Sequence, residues 1–274
     1  MSTSNPEFIS PISTDDVEIG PVWVFVAVLR RDIYVTGKEL AVFLAQVIIQ
    51  PLLMLFVFGR ILSDLGYTRH GYAHLLFPGI VALTATLTAL QSTALPLVID
   101  LSYTKEIEDR LLAPLPVSWV AIEKIIFASM RALVAAAMMF PIGLLILGSI
   151  PWSARAVPML VLVLVLASLV GSALGLTLGT LVPVQRISIA FALVLTPLIF
   201  TGCSQYPWPS LSKLPWFQWL TTINPITYSS EGMRGALLPS LPHIASWICI
   251  IMLIFSFVLF ATIGVKGFLR RAID

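Results

Sequence analysis

Between Tyr103 and Ser118 the chain concentrates its charge: Lys105, Glu106, Glu108, Asp109 and Arg110 are followed by Leu111, Leu112, Pro114 and Pro116. Such side chains bind by ion pairing and by inserting a leucine pair, which is the chemistry of docking a partner protein rather than of bond-making. As a helix, the stretch offers its acids together with Leu111 and Leu112. The two prolines would end that helix, because proline brings no N–H to the helical ladder. The same composition also fits a solvated linker, and composition leaves both readings open. The chain then restarts at Ser118, a suitable N-cap, and climbs through Glu123 and Lys124.

Other reactive residue types are too scattered for catalysis. His70, His74 and His243 do not make a nucleophile–base or metal constellation. Cys203 and Cys249 have neither metal-ligand spacing nor a disulfide framework, and read as two thiols in apolar surroundings, with a Cys203–Cys249 bond as the alternative. No G-x-x-x-x-G-K-[ST] stretch is present to cradle phosphates, so energy from ATP has to come from a separate chain. The same absence fits a channel or a secondary transporter. His74, Asp100, Glu123 and Arg131 can all lie near a membrane boundary, with Arg131 pairing with Glu123 or reaching the headgroups. Gln91 sits mid-span, either satisfied by a neighbouring helix or facing a dimer interface or substrate path. Gly171, Gly175 and Gly179 form a small-residue stripe that lets helix backbones approach closely in lipid, within the subunit or, as the second reading, at a dimer seam.

The elements that position these residues follow from composition. Hydrophobic residues make up 58% of the 274 and charged residues 11%, with a net charge of +2, whereas soluble domains carry about 25% charged residues. With a mean hydropathy of +0.97, most of the chain is solvated by lipid, and nothing in the charge balance suggests nucleic acid. A helix needs roughly 20 apolar residues to cross the hydrocarbon core. Six stretches free of Asp, Glu, Lys and Arg supply them: Ala41–Gly59, Gly71–Ile99, Ala132–Ala154, Ala156–Gln185, Ile187–Ser212 and Gly235–Val265. The predicted spans are 41–62, 72–99, 120–149, 156–182, 186–205 and 243–266. Pro51, Pro96 and Pro141 fall in or near them, where neighbouring helices can satisfy the freed carbonyls.

Basic residues orient the spans. With the N-terminus inside, Arg30, Arg31, Lys38, Lys105, Arg110, Lys124, Arg131, Arg186, Lys266, Arg270 and Arg271 are cytoplasmic. Only Arg60, Arg69, Arg155, Lys213 and Arg234 are outside. Both termini are then cytoplasmic. Residues 1–20 read as a disordered tail and not as a cleaved signal peptide. Residues 21–40, with Arg30, Arg31 and Lys38, fit a helix lying in the interface. Residues 207–240 hold four Trp and Tyr residues among prolines, which favours short helices dipping into the outer leaflet and returning.

Four segments in register resemble the ABC-2 family of exporter permeases, which includes daunorubicin-resistance, nodulation-factor and polysaccharide-export permeases. They are Phe77-Pro78-Gly79; Ile107-Glu108-Asp109-Arg110-Leu111-Leu112-Ala113-Pro114-Leu115-Pro116; Leu195-Thr196-Pro197-Leu198 with Gly202; and Leu214-Pro215 followed by Asn224-Pro225-Ile226-Thr227-Tyr228, Gly232-Met233-Arg234 and Leu237. The resemblance spans residues 21–271, read as a single transmembrane domain. It implies an all-α polytopic membrane protein with six transmembrane helices, an N-terminal interfacial helix, a cytoplasmic coupling helix at 104–113 and outer re-entrant helices between spans five and six.

The resemblance also implies roles. Lys105, Glu106, Glu108, Asp109, Arg110, Leu111 and Leu112 would dock on the ATPase, flanked by the interfacial helix. Asn224, Pro225, Tyr228, Gly232 and Arg234 would belong to a cap over the exit. The working unit would hold two permease and two ATPase subunits in a bacterial cytoplasmic membrane, with ATP and magnesium bound by the partner and no cofactor or metal in this chain. The cargo would be amphipathic, drug-like or linked to lipid or glycan. The rival is a six-span secondary transporter or channel without an ATPase. An intramembrane enzyme is a weaker rival still, for want of a catalytic constellation.

Overall fold

A computed structural model of the chain describes residues 21–67, 71–100 and 116–273. The expected tail at 1–20, the coupling helix at 104–113 with its seven docking residues, and His70 lie outside the described residues. Among the described residues the architecture is all-helical. In chain order the helices are α1 (Pro21–Lys38), α2 (Leu40–Met54, continued by a π-helical stretch Leu55–Ile61 and a last turn Leu62–Asp64), α3 (Tyr72–Ile99), α4 (Val117–Leu147), α5 (Val157–Leu181), α6 (Ile187–Thr201), α7 (Pro215–Thr221), α8 (Pro225–Leu237) and α9 (Ser246–Ile273). A short 3-10 helix, Trp208–Lys213, precedes α7.

Five of these helical stretches are long and apolar enough to cross a membrane: Leu40–Asp64, Tyr72–Ile99, Val117–Leu147, Ala154–Leu181 and Ser246–Arg271. The fifth expected span, 186–205, contains only the 15-residue helix Ile187–Thr201, about 22 Å long. It stops at Gly202 because the next carbonyls are drawn away by Arg234, as described below. α1 is a helix separate from α2. The break falls at Glu39, whose N–H returns to the Thr36 carbonyl at 3.1 Å.

Burial ranks the helices. In α3 and α5, 83% and 72% of the apolar window is buried, against 17%, 28% and 22% for the first, third and last long helices. α3 and α5 therefore form the inner pair, and the other three turn apolar faces outward. In lipid there is no hydrophobic gain from bringing helices together, so close backbone contact has to hold them. Gly171 and Gly175 provide it: a Cβ at either would run into the carbonyl of Thr86 or Leu90 on α3, and one at Gly179 would come within 2.9 Å of Leu97. The hydroxyls in this seam are satisfied without water. Thr84, Thr86 and Thr93 donate to carbonyls one turn back at 2.8, 3.0 and 2.9 Å. Ser129 and Ser172 join α4 to α5 at 3.0 Å, and Thr177 of α5 donates to the Phe260 carbonyl of α9 at 2.8 Å.

Candidate functional site

α8 is the least apolar helix of the bundle's interior, and it is buried almost throughout. Its start is fixed locally. Asn224 accepts from the Ile226 N–H at 2.9 Å, and Pro225 occupies the first helical position, where no N–H is needed. Asn224 also reaches across to α6, donating through Nδ2 to the Leu198 carbonyl at 2.8 Å and to Thr201 Oγ1 at 2.9 Å. Thr227 Oγ1 donates to the Thr221 carbonyl at 2.6 Å, and Tyr228 OH donates to the Thr222 carbonyl at 2.8 Å. These bonds lock α7 and α8 into one hairpin.

One helical turn further, Glu231 and Arg234 form an ion pair at 2.5 Å with side-chain exposures of 0% and 1%. Each oxygen of Glu231 is also engaged by backbone. Oε1 accepts from Trp208 N–H at 2.9 Å and Oε2 from Ile244 N–H at 3.1 Å. Arg234 donates through Nη2 to the carbonyls of Cys203 and Ser204 at 2.5 and 3.0 Å, and through Nε to the Leu75 carbonyl of α3 at 3.3 Å. Burial lowers the pKa of Arg234, and the charge and hydrogen bond of Glu231 act in the opposite sense. A buried pair satisfied on both partners survives desolvation; with one partner removed, the other becomes a costly lone charge.

The knot joins the start of α3, the end of α6, the 3-10 helix, α8 and the approach to α9. Gly79 makes room for it. A Cβ there would collide with the Ser204 carbonyl and sit 2.8 Å from Arg234 Nη2. Tyr72 OH adds a bond to the Gln205 carbonyl at 3.0 Å. Gly202 is pressed against Ile226, where a Cβ would stand 2.6 Å from Cγ2. Three of the four motif segments thus meet in space. Asn224, Pro225, Tyr228, Gly232 and Arg234 are all buried in the hairpin, and Gly232 faces Val163 of α5. Beside them, a cavity of about 280 Å³ opens between Leu174, Val194, Leu198, Leu220, Asn224 and Phe260.

A second polar cluster stands at the other end of α3. Lys124 of α4 pairs with Asp100 at 2.8 Å, with side-chain exposures of 11% and 13%, so the pair brackets residues 101–115. Trp119 of α4 meets Phe25 of α1 edge-on, ring centroids 5.8 Å apart. Arg131 lies over the rings of Phe43, at 4.0 Å, and Phe127, at 5.8 Å. A guanidinium stacked on aromatic faces gains from the ring quadrupole without needing a carboxylate.

Arg30, Arg31 and Lys38 are exposed on α1, and Lys38 sits 4.6 Å above the Tyr34 ring. Gln91 is half-buried on α3. Cys203 and Cys249 are both free and buried. Glu231 was missed by sequence reasoning. Its available signal was a Glu-x-x-Arg spacing on an otherwise uncharged segment, which places both groups on one helix face.

The model of the ABC-2 type transporter family matches residues 24–238, a range that takes in α1, the inner helices and the locked hairpin. The putative transport permease ycf38 of Porphyra purpurea is 29% identical over 197 residues, covering 68% of this chain and 65% of that protein's own length. The inner membrane transport permease YadH of Escherichia coli K12 is 27% identical over 191 residues, covering 68% of this chain and 72% of its own. The ycf38 permease of Cyanophora paradoxa is 26% identical over 214 residues, covering 76% and 72%. With several membrane-length helices and a family match over most of its length, this chain belongs to the ABC-2 type transporter family and is a multi-pass membrane protein of the transport permease kind.

Proposed function

We propose that the chain is the membrane-spanning subunit of an ATP-driven exporter, carrying an amphipathic, drug-like or lipid- or glycan-linked molecule outward across a bacterial cytoplasmic membrane. It pairs with a second permease subunit and with two ATPase subunits, and both termini face the cytoplasm. The observation that carries this reading is the family match across residues 24–238 in a chain that has no P-loop of its own. The arrangement of α3 supports a mechanism. This 28-residue helix leads at its end into the charged 101–115 segment, where Asp100 binds Lys124, and in its first turn Leu75 accepts from Arg234 of the hairpin. A helix of that length is about 42 Å long. A push on Glu106–Leu112 as ATPases close would travel along α3 as a rigid element and shift the hairpin over the exit.

The test is co-purification of the tagged chain with co-expressed candidate ABC ATPase subunits, followed by ATP-dependent transport in vesicles. Binding by the wild type and its loss in the Glu108→Lys, Asp109→Lys variant support docking at this segment. A folded chain that binds none of the ATPases and transports without ATP favours the secondary-transporter reading instead.

A further inference from the structure

Gln46 and Gln50 stand one helical turn apart on α2, and both are exposed. Gln91 of α3 is half-buried. None of these three side chains makes a hydrogen bond to another described residue. Amides at membrane depth are costly against acyl chains, and polar residues in membrane helices mark instead the cavities that substrates cross. The three converge on one furrow whose floor is α3. There Leu83, Thr84 and Leu87 line a cleft with Gln50 and Met54 of α2. Leu195 and Leu198 of α6 join the cluster around Leu83, Leu87 and Ile226, so α2 and α6 flank the furrow. α3 follows α2 as the next membrane-length helix and runs back along it. Gln91, one turn beyond Leu87, therefore comes level with Gln46, one turn before Gln50. Residues 40–59, α3 and α6 contain no Asp, Glu, Lys or Arg.

We propose that Gln46, Gln50 and Gln91 read the cargo, and that the cargo is an uncharged amphiphile bearing hydroxyl or amide groups. A glutamine amide both donates and accepts, so it matches a hydroxyl or another amide in either sense. The apolar part of the molecule follows Met54, Leu83 and Leu87. An anionic or cationic headgroup would enter a furrow without a counter-charge, and the cost of taking it out of water would go unanswered. A plain hydrocarbon would leave all three amides unpaired. The inference rests on the reading of the chain as a carrier of amphipathic cargo and narrows that cargo to its uncharged, hydrogen-bonding members.

The test is photolabelling of the full-length chain in phosphatidylcholine nanodiscs. Three probes share one diazirine-bearing alkyl tail and end in a glucoside, a sulfate or a trimethylammonium group. The glucoside is expected to label α2 and α3 saturably, in competition with unlabelled alkyl glucoside, while the two charged probes label without saturation. Gln46→Leu, Gln50→Leu should weaken the glucoside about fivefold to tenfold, the worth of two such hydrogen bonds in a membrane protein. Gln50→Lys should make the sulfate probe saturable. Equal saturable labelling by all three probes overturns the inference, as does an unchanged affinity in the double-leucine variant. Should that variant not yield monodisperse protein, Gln50→Cys decides, the two native thiols being buried. Protection of the new thiol from maleimide by the glucoside supports the inference, and equal labelling with and without it overturns it. Oxidative cross-linking of two Gln50→Cys copies, undiminished by saturating glucoside, assigns the amides to a second copy of this chain and also overturns it. Labelling needs no ATPase, so its failure leaves the ATP-coupled reading standing, and failure of ATPase co-purification leaves the binding result intact.

Discussion

The carbonyl oxygen of Cys203 lies 2.5 Å from Nη2 of Arg234, so α6 ends on a guanidinium supplied by α8. Carbonyls at a helix C-terminus are left without intrahelical donors and carry partial negative charge, which a buried cation can satisfy. The same cation holds Leu75 of α3, and its own charge is answered by Glu231. A single side chain therefore ties the hairpin to two membrane-embedded helices.

Removing Arg234 leaves Glu231 as an uncompensated buried charge, a loss of roughly 3–5 kcal/mol. Arg234→Ala is expected to lower the unfolding midpoint in detergent by roughly 10 °C. Glu231→Gln, Arg234→Met, which removes both charges, should recover part of that. Maleimide labelling of Cys203 in a Cys249→Ser background gives a local readout. The thiol is buried in the intact knot, so labelling should accelerate in Arg234→Ala under native conditions. An unchanged labelling rate would mean that the hairpin is held by other contacts.

Gly79 tests how tightly the knot is built. Its missing Cβ would occupy the position of a backbone carbonyl, which cannot move aside as a flexible side-chain tip can. Gly79→Ala is therefore expected to destabilise by on the order of 2 kcal/mol. Gly37, inside α1, has no neighbour within 4 Å. The same change there should be neutral or stabilise by up to about 1 kcal/mol. Thermal unfolding of the two variants side by side separates local collision from a general effect of alanine.

Much of this architecture was legible in the chain, and the failures have physical causes. Charge-free stretches located the five long helices, because lipid excludes Asp, Glu, Lys and Arg wherever they sit. The stripe at Gly171, Gly175 and Gly179 pointed to close helix contact but named no partner; its partner, α3, is visible only in three dimensions. The charge-free run after Ile187 continues to Ser212, yet α6 ends at Thr201. That stop comes from Arg234, thirty-one residues beyond Cys203, and no local pattern announces it. Glu231 was passed over for a related reason: a carboxylate between two prospective spans reads as solvated, until Trp208, Ile244 and Arg234 are seen to enclose it.

The α3–α5 seam yields a graded expectation. Gly171→Val and Gly175→Val place branched side chains against the Thr86 and Leu90 carbonyls, whereas Gly179→Val meets chiefly the side chain of Leu97. Backbone is the harder obstacle, so the first two should lower the yield of monodisperse protein sharply and the third only mildly. Size-exclusion profiles after identical expression check the order. Equal behaviour of all three would mean that α3 and α5 can separate at little cost, contrary to their burial.

Asp100 and Lys124 permit a test at the opposite end of the bundle. The pair is mostly buried and joins the end of α3 to the first turns of α4. If α3 and α4 receive the push of an ATPase through that segment, the pair sets how firmly the two helices respond together. Asp100→Asn and Lys124→Gln should each reduce transport per ATP hydrolysed while leaving the ATPase bound, because neither residue belongs to the docking stretch. A double-mutant cycle on stability should give a coupling energy between about 0.5 and 3 kcal/mol, the range for residues in direct contact. The exchange Asp100→Lys, Lys124→Asp restores opposite charges at the same two positions. Recovered coupling in the exchange variant would assign the effect to the ion pair itself. Failure to recover, with the protein still folded, would assign it to the shape of the α3–α4 corner and remove the pair from the mechanism.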